Sequence, residues 1–146
     1  VLTDSLRCTA RDAGSFLASI AQYNQSSEKS LAFIAGGETV VHLTGTGLGG
    51  RNQEIALSAA LGIEGLSNAL VFSVGSDGTD GPTDAAGGVV DGQTAKILRE
   101  RGIDPVQLLN DNDAYHALGA VGGLLKTGAT GTNVNDVTVL LLRTAE

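Results

Sequence analysis

The segment ALVFSVGSDGTDGPTD, residues 69–84, places an apolar strand directly before a polar, turn-rich loop. Its first six residues are predicted to form a strand because they are almost all apolar and include two β-branched valines. In the loop, Asp77, Asp80 and Asp84 lie three and four residues apart. Ligands of open α/β sheets usually bind where such a strand ends. The segment therefore predicts an α/β fold with a candidate site at this loop.

The three aspartates have two interpretations. They could hold a hydrated Mg²⁺ ion, which typically takes one or two carboxylates together with substrate phosphates. The Asp-Gly and Gly-Pro pairs are also turn formers, and aspartate often bonds its own backbone. Turn formation explains one or two acids readily, whereas three within eight residues of a chain with only 17% charged residues need a further reason.

Outward from this segment, predicted strands and helices alternate. Strands are expected at the end of 1–3 and at 31–35, 39–43, 69–74, 87–90, 124–125 and 137–142. Helices are expected at 8–23, from the glycine loop 45–50 to Gly62, from Asp91 to Arg101, after Asp104-Pro105, and from Asp113 to Leu118. Alternation of this kind argues for layered α/β architecture. We expect one domain over 1–146, an α/β/α arrangement with a mixed, mostly parallel sheet.

Composition excludes several classes of protein. The net charge is −7, whereas nucleic-acid binders usually carry a basic face. At 42% apolar residues the chain is too hydrophobic for disorder, and no apolar run approaches the roughly 18 residues of a membrane span. The single Cys8 fits a reducing cytoplasm. Because the chain opens on Val1 without an initiator methionine, we expect further residues upstream.

The glycine-rich segment Gly45 to Glu54 follows a predicted strand and opens a predicted helix, where free amides and the helix dipole attract anions. Gly45, Gly47 and Gly50 imitate the G-x-G-x-x-G dinucleotide fingerprint, but the acid expected about 20 residues later is not at a strand end. A tight turn without a ligand is the alternative. Arg51 favours a ligand, because a guanidinium can grip phosphate or carboxylate with two hydrogen bonds.

Two later loops are less specific. Residues 110–116 contain Asp113 and His116, and the simplest interpretation is a helix cap with a surface histidine. His42 is expected on the polar face of a strand. Residues 127–136 are rich in hydroxyl and amide side chains, which could bind a polyhydroxylated ligand or satisfy their own backbone.

Five motifs in order resemble those of the MOFRL family, over nearly the whole chain. They are GGET at 36–39, GGRNQE at 49–54, DGTDGPTDAAG at 77–87, NDAY at 112–115 and TGATGTNVND at 127–136. That family forms the C-terminal part of the glycerate 2-kinases, some of which carry an older label of hydroxypyruvate reductase. The chain departs from the usual family pattern at Ala114, Ala129 and Cys8-Thr9.

The resemblance implies a two-domain kinase that transfers the γ-phosphoryl group of ATP, with Mg²⁺, to the 2-hydroxyl of D-glycerate in a cleft shared with an N-terminal domain. It implies that Arg51 and Asp80 are catalytic and that Asp77 and Asp84 bind metal. Substrate or nucleotide would contact Gly49, Gly50, Asn52, Glu54, Thr83, Thr132, Asn133, Asn135 and Asp136.

Two other functions stay open at this point. The glycine pattern suggests an NAD(P)H-dependent hydroxypyruvate reductase. The isolated chain could also be a non-catalytic domain that binds a small ligand. Expected partners are a sugar acid, a nucleotide and the N-terminal domain, but neither nucleic acid nor a membrane. A homo-oligomer, with a second copy of the chain as partner, stays open.

Overall fold

The computed structural model describes residues 1–144, which form six strands and five helices. The strands are β1 (Thr3–Leu6), β2 (Leu31–Gly37), β3 (Ala69–Gly75), β4 (Gly87–Asp91), β5 (Leu124–Leu125) and β6 (Asp136–Leu142). The helices are α1 (Ala10–Asn24), α2 (Arg51–Gly62), α3 (Thr94–Glu100), α4 (Pro105–Asn110) and α5 (Ala114–Gly119). The α/β class predicted from the sequence is confirmed.

The strands form one mixed sheet in the order β1-β2-β6-β3-β4-β5. Among neighbouring strands, only β1 and β2 pair in parallel. Strand β6 is antiparallel to both β2 and β3, and β4 is antiparallel to β3 and β5. The expectation of a mostly parallel sheet is therefore wrong. A parallel neighbour needs a long crossover, usually a helix, and the loop between β3 and β4 instead lets the chain turn straight back.

The main core lies on one face of this sheet. There α1 and α2 pack against inward-facing residues of the central strands, including Val71 of β3 and Leu140 of β6. On the opposite face, Ile34, Val137 and Leu141 remain partly exposed. Within residues 1–144 the helices thus cover one face, and the second helical layer of the expected α/β/α arrangement is absent.

Helix α2 is buried along most of its length. One side packs against α1 and the sheet, while Leu57 packs on a second cluster from α3, α4 and α5. Close approach of α1 depends on Gly14, where a Cβ would lie 2.4 Å from the backbone oxygen of Ile55. The centre of the fold therefore fixes the position of the N-terminus of α2, on which the candidate site is built.

Two details of the predicted elements are corrected. The β-branched run 39–43 is not a strand: it holds only an isolated bridge between Val40 and Thr9 and otherwise runs irregularly beside the glycine loop. Strand β2 also extends beyond the predicted 31–35, because Gly36 and Gly37 continue its pairing with β6. The longest described helix, α1, has 15 residues, so no described helix reaches the ~20 apolar residues that a bilayer crossing takes.

Candidate active site

A cavity of about 610 Å³ opens at the N-terminus of α2. Its walls come from the segment after β2, the glycine loop, the first turn of α2, the loop after β3 and the loop before α5. Its lining residues are Glu38, Thr39, Val40, Val41, Leu43, Gly45, Gly47, Gly49, Gly50, Arg51, Glu54, Gly81, Pro82 and Asn112. Four residues predicted from the sequence, Gly49, Gly50, Arg51 and Glu54, therefore meet at one concave surface.

Arg51, the first residue of α2, is held by a carboxylate of β6. Its Nε donates to Asp136 Oδ2 at 2.5 Å and its Nη2 donates to Asp136 Oδ1 at 3.0 Å. The Asp136 side chain is 5% exposed and that of Arg51 is 33% exposed. The hydrogen bond to Asp136 is the largest cause of the raised pKa of Arg51. The remaining nitrogen, Nη1, does not contact Asp136 and lies 3.4 Å from Glu38 Oε1.

Asp80 caps the first turn of the same helix. Its Oδ1 accepts from the backbone N–H and the Nδ2 of Asn52, and its Oδ2 accepts from the backbone N–H and the Nε2 of Gln53. Burial raises the pKa of Asp80, and these four hydrogen bonds oppose that rise. The residue is 2% exposed. This geometry favours a positioning role over the catalytic role expected from the resemblance.

The cap changes the interpretation of the glycine loop. The Asp80 carboxylate occupies the amides of Asn52 and Gln53, so an external anion does not reach them. The backbone N–H groups of Gly49, Gly50 and Arg51 have no acceptor within residues 1–144. These three amides are the donors that remain for an anionic ligand. Arg51 Nη1, which is paired with the exposed Glu38 and not with Asp136, is the guanidinium nitrogen that could join them.

The spacing of the loop glycines has a packing explanation. A Cβ at Gly45 or Gly47 would collide with Asp111 or Asp113, and a Cβ at Gly50 would lie 2.4 Å from Asp80 Cγ. The G-x-G-x-x-G pattern is thus required by neighbouring carboxylate-bearing segments, independently of any dinucleotide.

Asn112 holds the loop in place, and sequence reasoning missed it. Its Oδ1 accepts from the backbone N–H of Thr44 at 2.7 Å and of Gly45 at 2.9 Å. Its Nδ2 donates to the His42 carbonyl and to Glu54 Oε2, both at 3.1 Å. The residue is buried and has φ +57°, a conformation in which asparagine is several-fold enriched. The Asn-Asp-Asn-Asp run was the available signal, but a simple helix cap explained it equally well.

Two buried polar side chains line the inner part of the cavity. Glu54 is 3% exposed, and burial raises the pKa of its carboxyl group. Thr39 is 4% exposed, and its Oγ1 has no hydrogen-bond partner within the described residues. A buried hydroxyl without a partner costs about 1–3 kcal/mol, so a ligand or water that bonds it gains that amount. Thr39 was not among the predicted site residues.

A chain of buried hydroxyls and amides ties α2 to the centre of the sheet. Ser73 Oγ donates to Asn52 Oδ1 at 2.6 Å and lies 2.7 Å from Thr138 Oγ1. Gln53 Nε2 donates to Thr83 Oγ1 at 3.0 Å. Asn52 and Thr83, both predicted to contact ligand, therefore support Asp80 and the helix start.

The loop after β3 and the loop before β6 lie side by side. The backbone N–H of Thr130 donates to the Asp77 carbonyl, and the backbone N–H of Ser76 donates to the Asn135 carbonyl. Asp77 Oδ1 accepts from the backbone and hydroxyl of Thr79, which lowers the pKa of Asp77. A Cβ on Gly75 would lie 3.3 Å from Asp77 Oδ1 and 3.6 Å from Asp136 Oδ1. Asp77 and Asp136 thus lie on the same side of Gly75, and the charge of Arg51 contributes to lowering the pKa of Asp77.

The predicted polar residues of the later loop, Thr132, Asn133 and Asn135, are exposed beside the Arg51–Asp136 pair. Asp84 is separate from it: Tyr115 Oη donates to Asp84 Oδ1 and Lys126 Nζ to Asp84 Oδ2. No group of three or more histidine, cysteine, aspartate and glutamate side chains in the described part is arranged to hold a metal ion.

Comparison with known proteins relates this site to one family. The model of the MOFRL family matches residues 31–136. A D-glycerate 2-kinase of Thermotoga maritima is 56% identical over 97% of this chain and 35% of that protein. A glycerate 2-kinase of Pyrococcus horikoshii is 49% identical over 97% of this chain and 33% of that protein. A protein of Agrobacterium vitis, 39% identical, carries a provisional hydroxypyruvate reductase name; the match covers 97% of this chain and 38% of that protein.

The fold agrees with a solved structure. The crystal structure of a glycerate kinase from Thermotoga maritima superimposes with a TM-score of 0.93 at 56% sequence identity, covering 97% of this chain and 35% of that one. The chain thus spans about a third of the length of the relatives it matches.

Proposed function

The chain belongs to the MOFRL family, and from this membership we propose that it is the C-terminal part of a glycerate 2-kinase. The proposed reaction transfers the γ-phosphoryl group of ATP to the 2-hydroxyl of D-glycerate. The observation that carries the proposal is the 56% identity over nearly the whole chain to a protein named D-glycerate 2-kinase.

The geometry supports phosphoryl transfer, which asks a protein chiefly for positioning and for stabilisation of charge. Arg51, Gly49 and Gly50 all line the cavity, and the amides of the two glycines have no acceptor within residues 1–144, so an anionic group of substrate or nucleotide would bind beside them. Asp136 fixes the orientation of the guanidinium, so this donor is positioned before the ligand arrives. Asp80 holds the first turn of α2 in place, and with it Arg51 and the neighbouring glycine amides.

Magnesium fits this chain only in part. Asp77 offers an oxygen, Oδ2, that accepts no hydrogen bond within residues 1–144, whereas both oxygens of Asp136 and of Asp84 are engaged. Mg²⁺ is commonly held by one or two carboxylates plus substrate phosphates and water. We propose Asp77 as one ligand, the other ligands coming from ATP, from water and from the remainder of the protein. When bound, the ion would neutralise charge on the transferring group.

The remaining features of the proposal concern the whole protein. An N-terminal domain would close the cleft over the exposed rim residues Val40 and Leu43. Thr132, Asn133 and Asn135 would meet the nucleotide or the sugar acid at that rim. A cytoplasmic location agrees with the lone Cys8, and the net charge of −7 disfavours nucleic acid as a partner.

The test is an assay of the protein with its complete natural chain. With ATP, Mg²⁺ and D-glycerate we expect ADP release and 2-phosphoglycerate, identified by ³¹P NMR. Omission of D-glycerate is the control for ATP hydrolysis. A parallel arm follows NADH and NADPH oxidation with hydroxypyruvate; turnover there, without phosphoglycerate formation, would establish the reductase instead. If the protein binds ATP and D-glycerate but neither arm shows turnover, the result would support a non-catalytic ligand-binding role.

A further inference from the structure

We propose, as a step that rests on the proposed kinase function, that Glu54 is the catalytic base that accepts the proton of the substrate 2-hydroxyl. Glu54 lies in the fourth position of α2, three residues after Arg51. Residues three apart on a helix have Cβ atoms about 5–6 Å apart on the same face. The guanidinium that would bind an anion and the carboxylate that would take a proton therefore stand one helical turn apart in the same cavity.

This separation suits a 2-hydroxy acid. In such a substrate the reacting hydroxyl is on the carbon next to the carboxylate. An anion held at Arg51 Nη1 and the amides of Gly49 and Gly50 would leave the neighbouring hydroxyl directed along α2 toward Glu54. The same placement holds whether the bound anion is the substrate carboxylate or the phosphoryl group approaching the hydroxyl.

The carboxylate of Glu54 is only partly used by the protein. Oε2 accepts from Asn112 Nδ2 at 3.1 Å, while Oε1 accepts no hydrogen bond from residues 1–144. A carboxylate whose second oxygen lacks a donor is available to accept a hydroxyl proton. The Thr39 hydroxyl, which lines the same cavity and is buried without a partner in the described residues, independently indicates that the cavity receives a polar ligand.

The charges around Glu54 agree with a basic role. The hydrogen bond from Asn112, before α5, and the charge of Arg11 of α1 lower the pKa of Glu54, whereas Asp80 of the loop after β3 raises it. Arg51 and Glu38, which share the cavity, form an ion pair with each other. Burial is the largest influence and raises the pKa of Glu54, which brings its basicity closer to the neutral range where a general base is most effective.

The step balances without any further reactant. As the substrate oxygen forms a bond to the γ-phosphorus of ATP, its proton moves to Glu54 Oε1. The bond between the γ-phosphorus and the β–γ bridging oxygen breaks, and ADP leaves with that electron pair. Glu54 then releases the proton to water.

The experiment compares wild type, Glu54→Gln and Glu54→Asp in the protein with its complete natural chain. Glutamine keeps an oxygen that can accept from Asn112 but cannot take the proton. We expect Glu54→Gln to lower kcat by about 10²–10⁴-fold, the usual contribution of a general base, with KM for D-glycerate changed less than about 3-fold. Glu54→Asp should recover part of kcat. Glu64→Gln, the same change on a surface glutamate beyond the other end of α2, is the matched control and should retain wild-type rates.

The pH profile separates a base from a structural carboxylate. In wild type, kcat should fall with decreasing pH along a limb of unit slope whose midpoint lies above the ordinary glutamate pKa. Glu54→Gln should abolish that limb. Retention of the limb, or a kcat within about 3-fold of wild type, overturns the assignment while leaving the kinase proposal intact. A wild-type protein that forms no phosphoglycerate overturns both. Should Glu54→Gln not fold, a wild-type profile without the limb is sufficient to reject the assignment.

Discussion

The guanidinium of Arg51 and the carboxylate of Asp136 form a two-point ion pair, with N···O distances of 2.5 and 3.0 Å, that joins the start of α2 to the start of β6. The two residues are 85 positions apart in the sequence. The pair fixes the direction of the only cation in the cavity lining of the described chain, and it brings the loop before β6 next to the glycine loop. The orientation of the site therefore depends on one long-range contact.

Asp136→Asn removes the charge of this pair while keeping its shape. We expect the free energy of unfolding to fall by about 2 kcal/mol, because hydrogen bonds to charged groups contribute about 1.5–3 kcal/mol and Arg51 is partly exposed. The measurement is urea denaturation with Asp4→Asn, an exposed aspartate on β1, as control. That control should change the free energy by less than about 0.5 kcal/mol. Equal effects of the two substitutions would contradict a structural ion pair.

Gly50→Ala tests the packing explanation of the glycine loop. Gly50 has an extended backbone, φ −152°, so alanine meets no conformational penalty there. Its Cβ would however lie 2.4 Å from Asp80 Cγ, and we expect a loss of about 1–3 kcal/mol in the free energy of unfolding. Gly119→Ala, where the nearest atom is 3.5 Å away, should be neutral or stabilising by about 0.4–1 kcal/mol. A harmless Gly50→Ala would mean that Asp80 does not cap α2 in this way.

Asn112→Ala removes five hydrogen bonds to the glycine-loop region and to Glu54. We expect a loss of about 3 kcal/mol or more in the free energy of unfolding, since each bond contributes about 0.5–1.5 kcal/mol. Part of this loss in the free energy of unfolding comes from backbone strain, because alanine adopts the positive φ of position 112 less readily than asparagine. Asn135→Ala, at φ +68° and without side-chain hydrogen bonds in the described chain, measures that part alone. The free energy of unfolding should therefore be lower for Asn112→Ala than for Asn135→Ala by about 1.5 kcal/mol or more.

Local sequence patterns predicted the helices and strands well where short-range periodicity determines the element. The apolar periodicity predicted a helix over 8–23, and α1 spans Ala10–Asn24; the apolar run from Ala69 predicted β3 almost to its end. The direction of the sheet was predicted wrongly because strand pairing is a long-range property. Nothing in the sequence near β6 indicates that it inserts antiparallel between β2 and β3.

In the candidate site, too, locally determined features could be predicted and long-range contacts could not. Arg51 and Glu54 could be identified as candidates from a glycine-rich loop before a helix. The roles of Asp80 and Asn112 could not be read from their own surroundings, because aspartate and asparagine in turns usually bond nearby backbone. Here they bond α2 and the glycine loop across 28 and 68 positions of sequence.

The buried Glu54 predicts a pH dependence of stability. Burial raises its folded-state pKa above the ordinary value of 4.5, so between these two values the folded state binds more protons than the unfolded state. The contribution of Glu54 to stability therefore decreases as pH rises through that window and is constant above it. The measurement is urea denaturation at a series of pH values from about 4 to about 8. As pH rises, the free energy of unfolding of Glu54→Gln should increase relative to that of wild type. A constant difference across the series would show that the folded-state pKa is not raised.

Arg51→Lys separates the geometry of the cation from its charge. A lysine ammonium keeps the positive charge but cannot reproduce the two parallel hydrogen bonds to Asp136 while presenting a third donor to the cavity. If Arg51 stabilises charge during transfer, the complete protein should lose about 10²–10³-fold in kcat, the range found when one positioned donor is removed. Arg99→Lys, whose guanidinium contacts Glu64 at the surface, is the matched control and should remain close to wild type. A kcat for Arg51→Lys within about 3-fold of wild type would show that a general positive potential suffices and that the ion pair with Asp136 serves folding alone.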